Sequence, residues 1–112
     1  MPPENQMRVV REQHNLTIRI GLSGRITIDD SPELRALLLR NLSSDCQILI
    51  VDFCEVVYID TSGVAVLLEL LKAARQLRKT FQLSGVRERP RYLLESTGLL
   101  RLFAEVKAPC HG

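Results

Sequence analysis

The stretch Ile48-Leu-Ile-Val-Asp-Phe-Cys-Glu-Val-Val-Tyr-Ile-Asp-Thr-Ser-Gly-Val-Ala-Val-Leu-Leu-Glu-Leu-Leu-Lys72 decides the fold. It opens as an unbroken apolar run, Ile48 to Val51, closed by Asp52. Such a run predicts a strand buried on both faces. It ends as a helix. Ala65, Leu68 and Leu71 recur at helical spacing, and Val64, Leu67, Leu70, Ala74 and Leu77 widen the stripe. Between the two lies Asp60-Thr61-Ser62-Gly63, where the chain turns from extended to helical. Polar side chains there cap the exposed N–H groups of a first helical turn. The same helix start favours negative charge, so a hydroxyl placed on it also suits a phosphate. Local physics leaves plain capping and a phosphate site both open.

Outward from this stretch, the C-terminal side continues with Glu69, Lys72, Arg75, Gln76 and Lys79, expected on a solvated helix face. Phe81-Gln-Leu-Ser-Gly-Val86 predicts a further strand. Pro90 opens a short helix through Tyr92, Leu93 and Leu94, with Gly98 as its stop. Leu99, Leu100, Leu102, Phe103 and Val106 form a last apolar segment, helix or strand.

On the N-terminal side, Ser31 is the expected N-cap of another helix, with Pro32 at its first position and Glu33 complementing the dipole. Leu34, Leu37, Leu38 and Leu42 make its stripe, and Ser43-Ser-Asp45 ends it. Before it, Arg25 to Asp30 is a loop or a strand extension. Leu16, Ile18, Ile20 and Leu22 alternate with Thr17, Arg19, Gly21 and Ser23, a strand with one buried face. Gly24 ends or bulges that strand. Gln13-His-Asn15 is a turn, and Arg8-Val-Val-Arg-Glu12 a short edge strand, so the chain begins with an antiparallel hairpin. Two strand–helix–strand crossovers then imply parallel pairing. The expected fold is α/β: one domain over residues 7–106, a mixed β-sheet packed with helices. The tails 1–6 and 107–112 are expected to be disordered.

Composition narrows the function. The 112 residues carry 15 basic and 13 acidic side chains, net +2. This near balance implies no nucleic-acid partner and no anionic membrane partner. Cys46, Cys54 and Cys110 are odd in number and lack metal-site spacing, so they are expected to be small apolar residues in a reducing compartment. The apolar runs are far shorter than a membrane span, and Met1 to Gln6 shows no signal pattern. The expectation is a soluble, cytoplasmic protein.

Catalytic patterns are weak. A serine on a strand-to-helix turn suggests a hydrolase elbow, but that motif needs Gly-x-Ser-x-Gly, and Asp60 and Val64 stand where the glycines would be. The only histidines are His14, in a turn, and His111, in a tail, so no triad is expected. Asp52 and Asp60 are better explained as a strand end and a helix cap than as paired acids. No Walker or dinucleotide loop is present. No catalytic residue, metal ligand or cofactor is expected.

The stretch Val51 to Val64, with its Asp-Thr-Ser-Gly turn, resembles the signature of the STAS family, the bacterial anti-sigma factor antagonists and their relatives. Leu22-Ser-Gly24, Leu83-Ser-Gly-Val86 and Ser96-Thr-Gly-Leu-Leu-Arg-Leu-Phe103 agree with it, so the likeness spans residues 8 to 106. It implies a non-enzymatic STAS-like domain without cofactor. In the antagonists of this family, the serine before the glycine is phosphorylated by a partner anti-sigma factor with serine-kinase activity. Here that serine is Ser62. The unphosphorylated form binds the anti-sigma factor, and a serine phosphatase resets the cycle. The implied partner face comprises Asp60, Thr61, Ser62, Gly63 and Val64, with Arg25 and Thr27 beside it. Members often carry Gly-Glu-Leu-Asp after the second strand, whereas this chain has Gly24-Arg25-Ile26-Thr27. Loss of both acids implies a different partner or a weaker contact. Other relatives are small cytoplasmic subunits of phospholipid-type ABC transporters or scaffolds of signalling assemblies, and these remain the alternative.

Overall fold

The computed structural model describes residues 7–98 and 100–106. The two tails expected to be disordered, and Leu99, therefore lie outside the described residues. The elements run β1 (Arg8–His14), β2 (Thr17–Ile26), α1 (Ser31–Leu42), β3 (Ile48–Ile59), α2 (Thr61–Gln76), β4 (Thr80–Ser84), α3 (Glu88–Ser96), a 3-10 turn (Leu100–Leu102) and β5 (Ala104–Val106). The sheet order is β1-β2-β3-β4-β5. β1 and β2 pair antiparallel, and every later pairing is parallel. The mixed α/β sheet expected from the crossovers is therefore present.

The hairpin turns on Asn15 and Leu16, with His14 paired to Thr17. Asn15 takes a positive φ of 56°, which asparagine tolerates better than most side chains and which two-residue hairpins demand. Leu16 sits in this turn, 53% exposed, and not on the buried face its alternation predicts. The true buried face of β2 is Ile18, Ile20, Leu22 and Ile26.

β3 is longer than its apolar run. It continues past Asp52 to Ile59, and its register with β2 shifts twice, between Gly21 and Ser23 and between Gly24 and Arg25. Each shift places an extra β3 residue opposite β2, the signature of a bulge. Gly24 takes a positive φ of 88° at the second shift. Leu49, Val51, Phe53, Val56 and Ile59 are buried, while Ile48 and Ile50 are half-buried. The strand is thus fully packed on one face only, contrary to the two-sided burial its run predicts. The other face carries Arg19, whose guanidinium meets Asp52 at 3.0 Å and the buried Ser84 hydroxyl at 3.1 Å. This contact ties β2, β3 and β4 together through polar atoms.

α2 buries Gly63, Val64, Val66, Leu67, Leu70, Leu71 and Ala74. Ala65 and Leu77 of the expected stripe are exposed, and Leu68 is half-buried. The stripe is therefore centred on Val64, Leu67, Leu71 and Ala74. α1 starts one residue earlier than expected: Asp30 is its N-cap and Ser31 its first residue. Lys79 is not on a free solvated face. Its ammonium donates to the carbonyls of Leu42 (2.6 Å) and Ser44 (2.7 Å) at the end of α1, where a cation complements the dipole. Cys46 is a buried free thiol, as a small apolar residue should be. Cys54, against that expectation, is disulfide-bonded.

Candidate functional site

The end of β3 and the start of α2 are joined at Asp60, whose extended backbone (φ −99°, ψ −178°) leaves its side chain free to fold over the helix. Its Oδ1 accepts the N–H groups of Ser62 and Gly63, both at 3.1 Å, and the Ser62 hydroxyl at 2.5 Å. Its Oδ2 accepts the Ile28 N–H at 3.0 Å. One carboxylate thus caps α2 and holds the β2–α1 turn. Partial burial alone raises the Asp60 pKa. The bonds from the Ser62 hydroxyl and from the N–H groups of Gly63, Ile28 and Ser62 outweigh that and hold it below its ordinary value. Asp60 is therefore an anion at neutral pH.

Ser62 is half-buried. Its hydroxyl donates to Asp60 and accepts from Ser31 Oγ at 3.1 Å. Ser31 Oγ also lies 3.1 Å from the Thr27 carbonyl. A hydroxyl has one proton, so Ser31 serves one of these acceptors at a time. The Thr27 N–H and hydroxyl both donate to Asp30 Oδ2, at 2.9 and 3.2 Å, which closes the turn that presents Ile28, 68% exposed.

Gly63 has a steric reason. A Cβ there would stand 2.6 Å from Ile59 Cγ1 and 3.1 Å from Ile26 Cγ2. Only glycine lets α2 start this close to the sheet. Val64 is 4% exposed and packs in the core, so it seats the helix and offers no surface to a partner. Thr61 is exposed. The Arg25 guanidinium lies 4.2 Å from the centroid of the Tyr58 ring, a cation–π stack. Tyr58, Asp60 and Thr61 in turn wall a groove of about 680 Å³ whose far side is Arg89, Tyr92 and Leu93 of α3.

The structure brings Asp60, Ser62, Gly63 and Thr27 into one bonded cluster, with Thr61 and Arg25 flanking it. Two participants escape sequence reasoning. Ser31 is legible as a helix-start residue but not as a partner of Ser62, which is distant in sequence. The Ile28 amide carries no side-chain signal at all. Among the described residues, no cluster of acids, cysteines or histidines is placed to hold a metal, and no helix is long and apolar enough to cross a membrane.

Residues 9–104 match the family model described as "Mlab, STAS domain". The chain belongs to the STAS domain family. Solved structures agree in fold. An anti-sigma factor antagonist from Mycobacterium paratuberculosis is similar at 18% identity, with 96% of this chain and 92% of that one covered and a TM-score of 0.78. The phosphorylated form of SpoIIAA, a cell fate determinant of Bacillus, is similar at 18% identity, with 89% and 92% covered and a TM-score of 0.70. An RsbS variant from Moorella thermoacetica is similar at 21% identity, with 91% and 88% covered and a TM-score of 0.76. No curated protein matches by sequence.

Proposed function

We propose that the protein is an anti-sigma factor antagonist switched at Ser62. Unphosphorylated, it binds an anti-sigma factor with serine-kinase activity and so acts on transcription indirectly. Phosphorylation of Ser62 releases that partner, and a serine phosphatase restores binding. It is a binding module rather than an enzyme, working in the cytoplasm without cofactor. The observation that carries this reading is the Ser62 hydroxyl, held at the start of α2 by Asp60 and Ser31. A phosphorylated relative of the same fold supports it.

The energetics follow from that geometry. Phosphate adds about −1.5 to −2 charges at neutral pH. Asp60 stands against the acceptor oxygen, and it already occupies the N–H groups of Ser62 and Gly63. The added charge finds little compensation within the turn, so a partner covering it must desolvate it. Leaving a buried charge unpaired costs about 2–5 kcal/mol, which weakens binding roughly 30-fold to several thousand-fold. Titration calorimetry of the unmodified, phosphorylated and Ser62→Ala proteins against the partner kinase tests this. Ser62→Ala should bind like the unmodified protein and resist release. Equal affinity of the phosphorylated form, or stoichiometric label remaining in Ser62→Ala, overturns the proposal.

A second reading, a small STAS subunit of a phospholipid-type ABC transporter, is favoured by the Mlab description of the family, while Arg25 and Thr27 in place of acids imply only a different partner or a weaker contact. Gene neighbourhood separates the two: a kinase and sigma factor, or a permease and ATPase.

A further inference from the structure

Cys54 is half-buried in β3 and disulfide-bonded. The chain has three cysteines, and Cys46 is a free thiol in the core. Cys110 is therefore the partner that remains within the chain. It lies outside the described residues, but its place in the sequence bounds its reach. Strand pairing aligns Asp52 with Ser84 and Ser84 with Val106. At about 4.8 Å per strand, Val106 stands about 10 Å from Asp52. Cys54 is two residues further along β3, which leaves about 12 Å on the diagonal. β3, β4 and β5 are parallel, so the chain leaves Val106 in the direction that runs from Asp52 to Cys54. Cys110 follows four residues after Val106, and four extended residues span at most about 14 Å. A disulfide itself bridges about 5.5 Å between Cα atoms. The tail thus reaches Cys54 with slack and without moving a strand.

The surface beside Cys54 suits the tail. Cys54 lines a cavity of about 240 Å³ on the sheet face opposite the core, with Glu12, Arg19, Asp52 and Glu55 among its walls. Arg19 is paired to Asp52, so Glu12 and Glu55 leave the cavity acidic. The tail 107–112 carries Lys107 and His111 and no acid. We propose that Cys54 and Cys110 form a reversible redox clasp, which pins the tail 107–112 on this open face when oxidised and frees it when reduced. The oxidant is a small-molecule disulfide such as oxidised glutathione. One cysteine thiolate attacks a sulfur of that disulfide and expels one small thiolate. The second cysteine thiolate then attacks the protein sulfur of the mixed disulfide and expels the other. The two cysteines lose two protons and two electrons, and one small disulfide becomes two thiols. Excess small thiol runs the same steps backwards, and Cys54 borders a surface cavity through which it enters. A bond of this kind in a cytoplasmic protein is a sensing device rather than a permanent staple, so its reversibility rests on the cytoplasmic setting proposed above.

The test poises the full-length protein in mixtures of oxidised and reduced glutathione, quenches it with acid, and alkylates it unfolded. Of its three cysteines, the oxidised protein should take one label, on Cys46, and the reduced protein three, with both forms monomeric on a non-reducing gel. The transition should follow the square of the reduced glutathione concentration, as an intramolecular bond requires. Tandem mass spectrometry of an unreduced tryptic digest should join Cys54 to residues 108–112. Oxidation should raise the melting temperature by about 5–20 °C. By NMR, the amides of Glu12, Arg19 and Glu55 should shift between the redox states. Cys110→Ser, which leaves Cys54 and its strand unaltered, should melt like the reduced protein and keep its amide positions in either buffer. A link to Cys46, a covalent dimer, three free thiols at every glutathione ratio, a bond that excess reduced glutathione leaves closed, or unchanged sheet amides on oxidation would each overturn the clasp. No kinase, nucleotide or partner protein enters this measurement, so its failure is distinct from a failure of the Ser62 switch.

Discussion

Asp60 concentrates more of the site than any other residue. Its carboxylate satisfies two N–H groups of the α2 start, the Ser62 hydroxyl and the Ile28 N–H. Replacing Asp60 with alanine leaves all four donors without that acceptor, and loss of a helix cap alone costs about 1–2 kcal/mol. The pH dependence has a definite sign. A carboxyl with a folded-state pKa below its unfolded one contributes stability in full above the ordinary carboxylate value, about 4. That contribution declines as the pH falls below this value and vanishes once the pH passes the depressed folded pKa. Urea unfolding of the native protein and Asp60→Ala across pH 7 to 2 should show a gap that narrows on acidification. A gap constant with pH would show that the Asp60 charge contributes nothing. Gly63→Ala makes a different point, because the new methyl meets Ile59 and Ile26 in a packed core. Overpacking of this kind costs about 1–3 kcal/mol, readable as a lower urea midpoint.

At the level of elements, α2 and β3 show what the chain discloses and what it hides. The Asp-Thr-Ser-Gly turn and the helix after it are legible because capping chemistry and apolar spacing coincide. The exact buried face is not, because α2 is apolar on several sides and sequence cannot choose among overlapping stripes. The structure chooses. Leu67→Ala, fully buried, should cost about 2–5 kcal/mol, while Ala65→Ser, exposed, should stay within about 0.5 kcal/mol. Thermal unfolding of both variants checks the assignment, and the reverse order would restore the Ala65 stripe. The length of β3 is hidden for another reason. Its alternation of buried residues breaks at each bulge, so the pattern beyond Asp52 imitates a loop. The contact of Ser31 with Ser62 joins α1 to α2, and no local pattern encodes it.

Across the whole molecule, the sheet grades from a bare edge to a covered centre. Every residue of β1 is exposed, whereas β2 and β3 sit inside the strand order and carry much of the core. Local opening should follow that gradient. Amide hydrogen exchange should be fastest in Arg8–His14 among the strands and slowest in Leu49–Phe53 and Ile18–Leu22. Equal protection of β1 would point to a partner strand covering the edge in solution. The STAS fold and the position of its turn are readable from the chain, since both depend on local signals. The groove under α3 is not, because it depends on how far β3 extends before α2 begins.

That extension turns residue number into a constraint. β2 advances from Thr17 to Ile26 while β3 advances from Ile48 to Ile59, so the two bulges absorb the surplus and bring Asp60 level with Ile26. Between Asp52 and Asp60, the exposed side chains Glu55 and Val57 can vary, Phe53, Val56 and Ile59 must stay apolar, and the length of the segment is fixed. Val57, 52% exposed, should accept threonine with no change in folding. Deleting it moves the alternation by one residue and carries the Asp60–Gly63 turn toward the other face of the sheet. Relatives that keep this turn in place should therefore differ here in spelling and seldom in count, with insertions collecting at the Asn15 and Ser43–Asp45 connections instead.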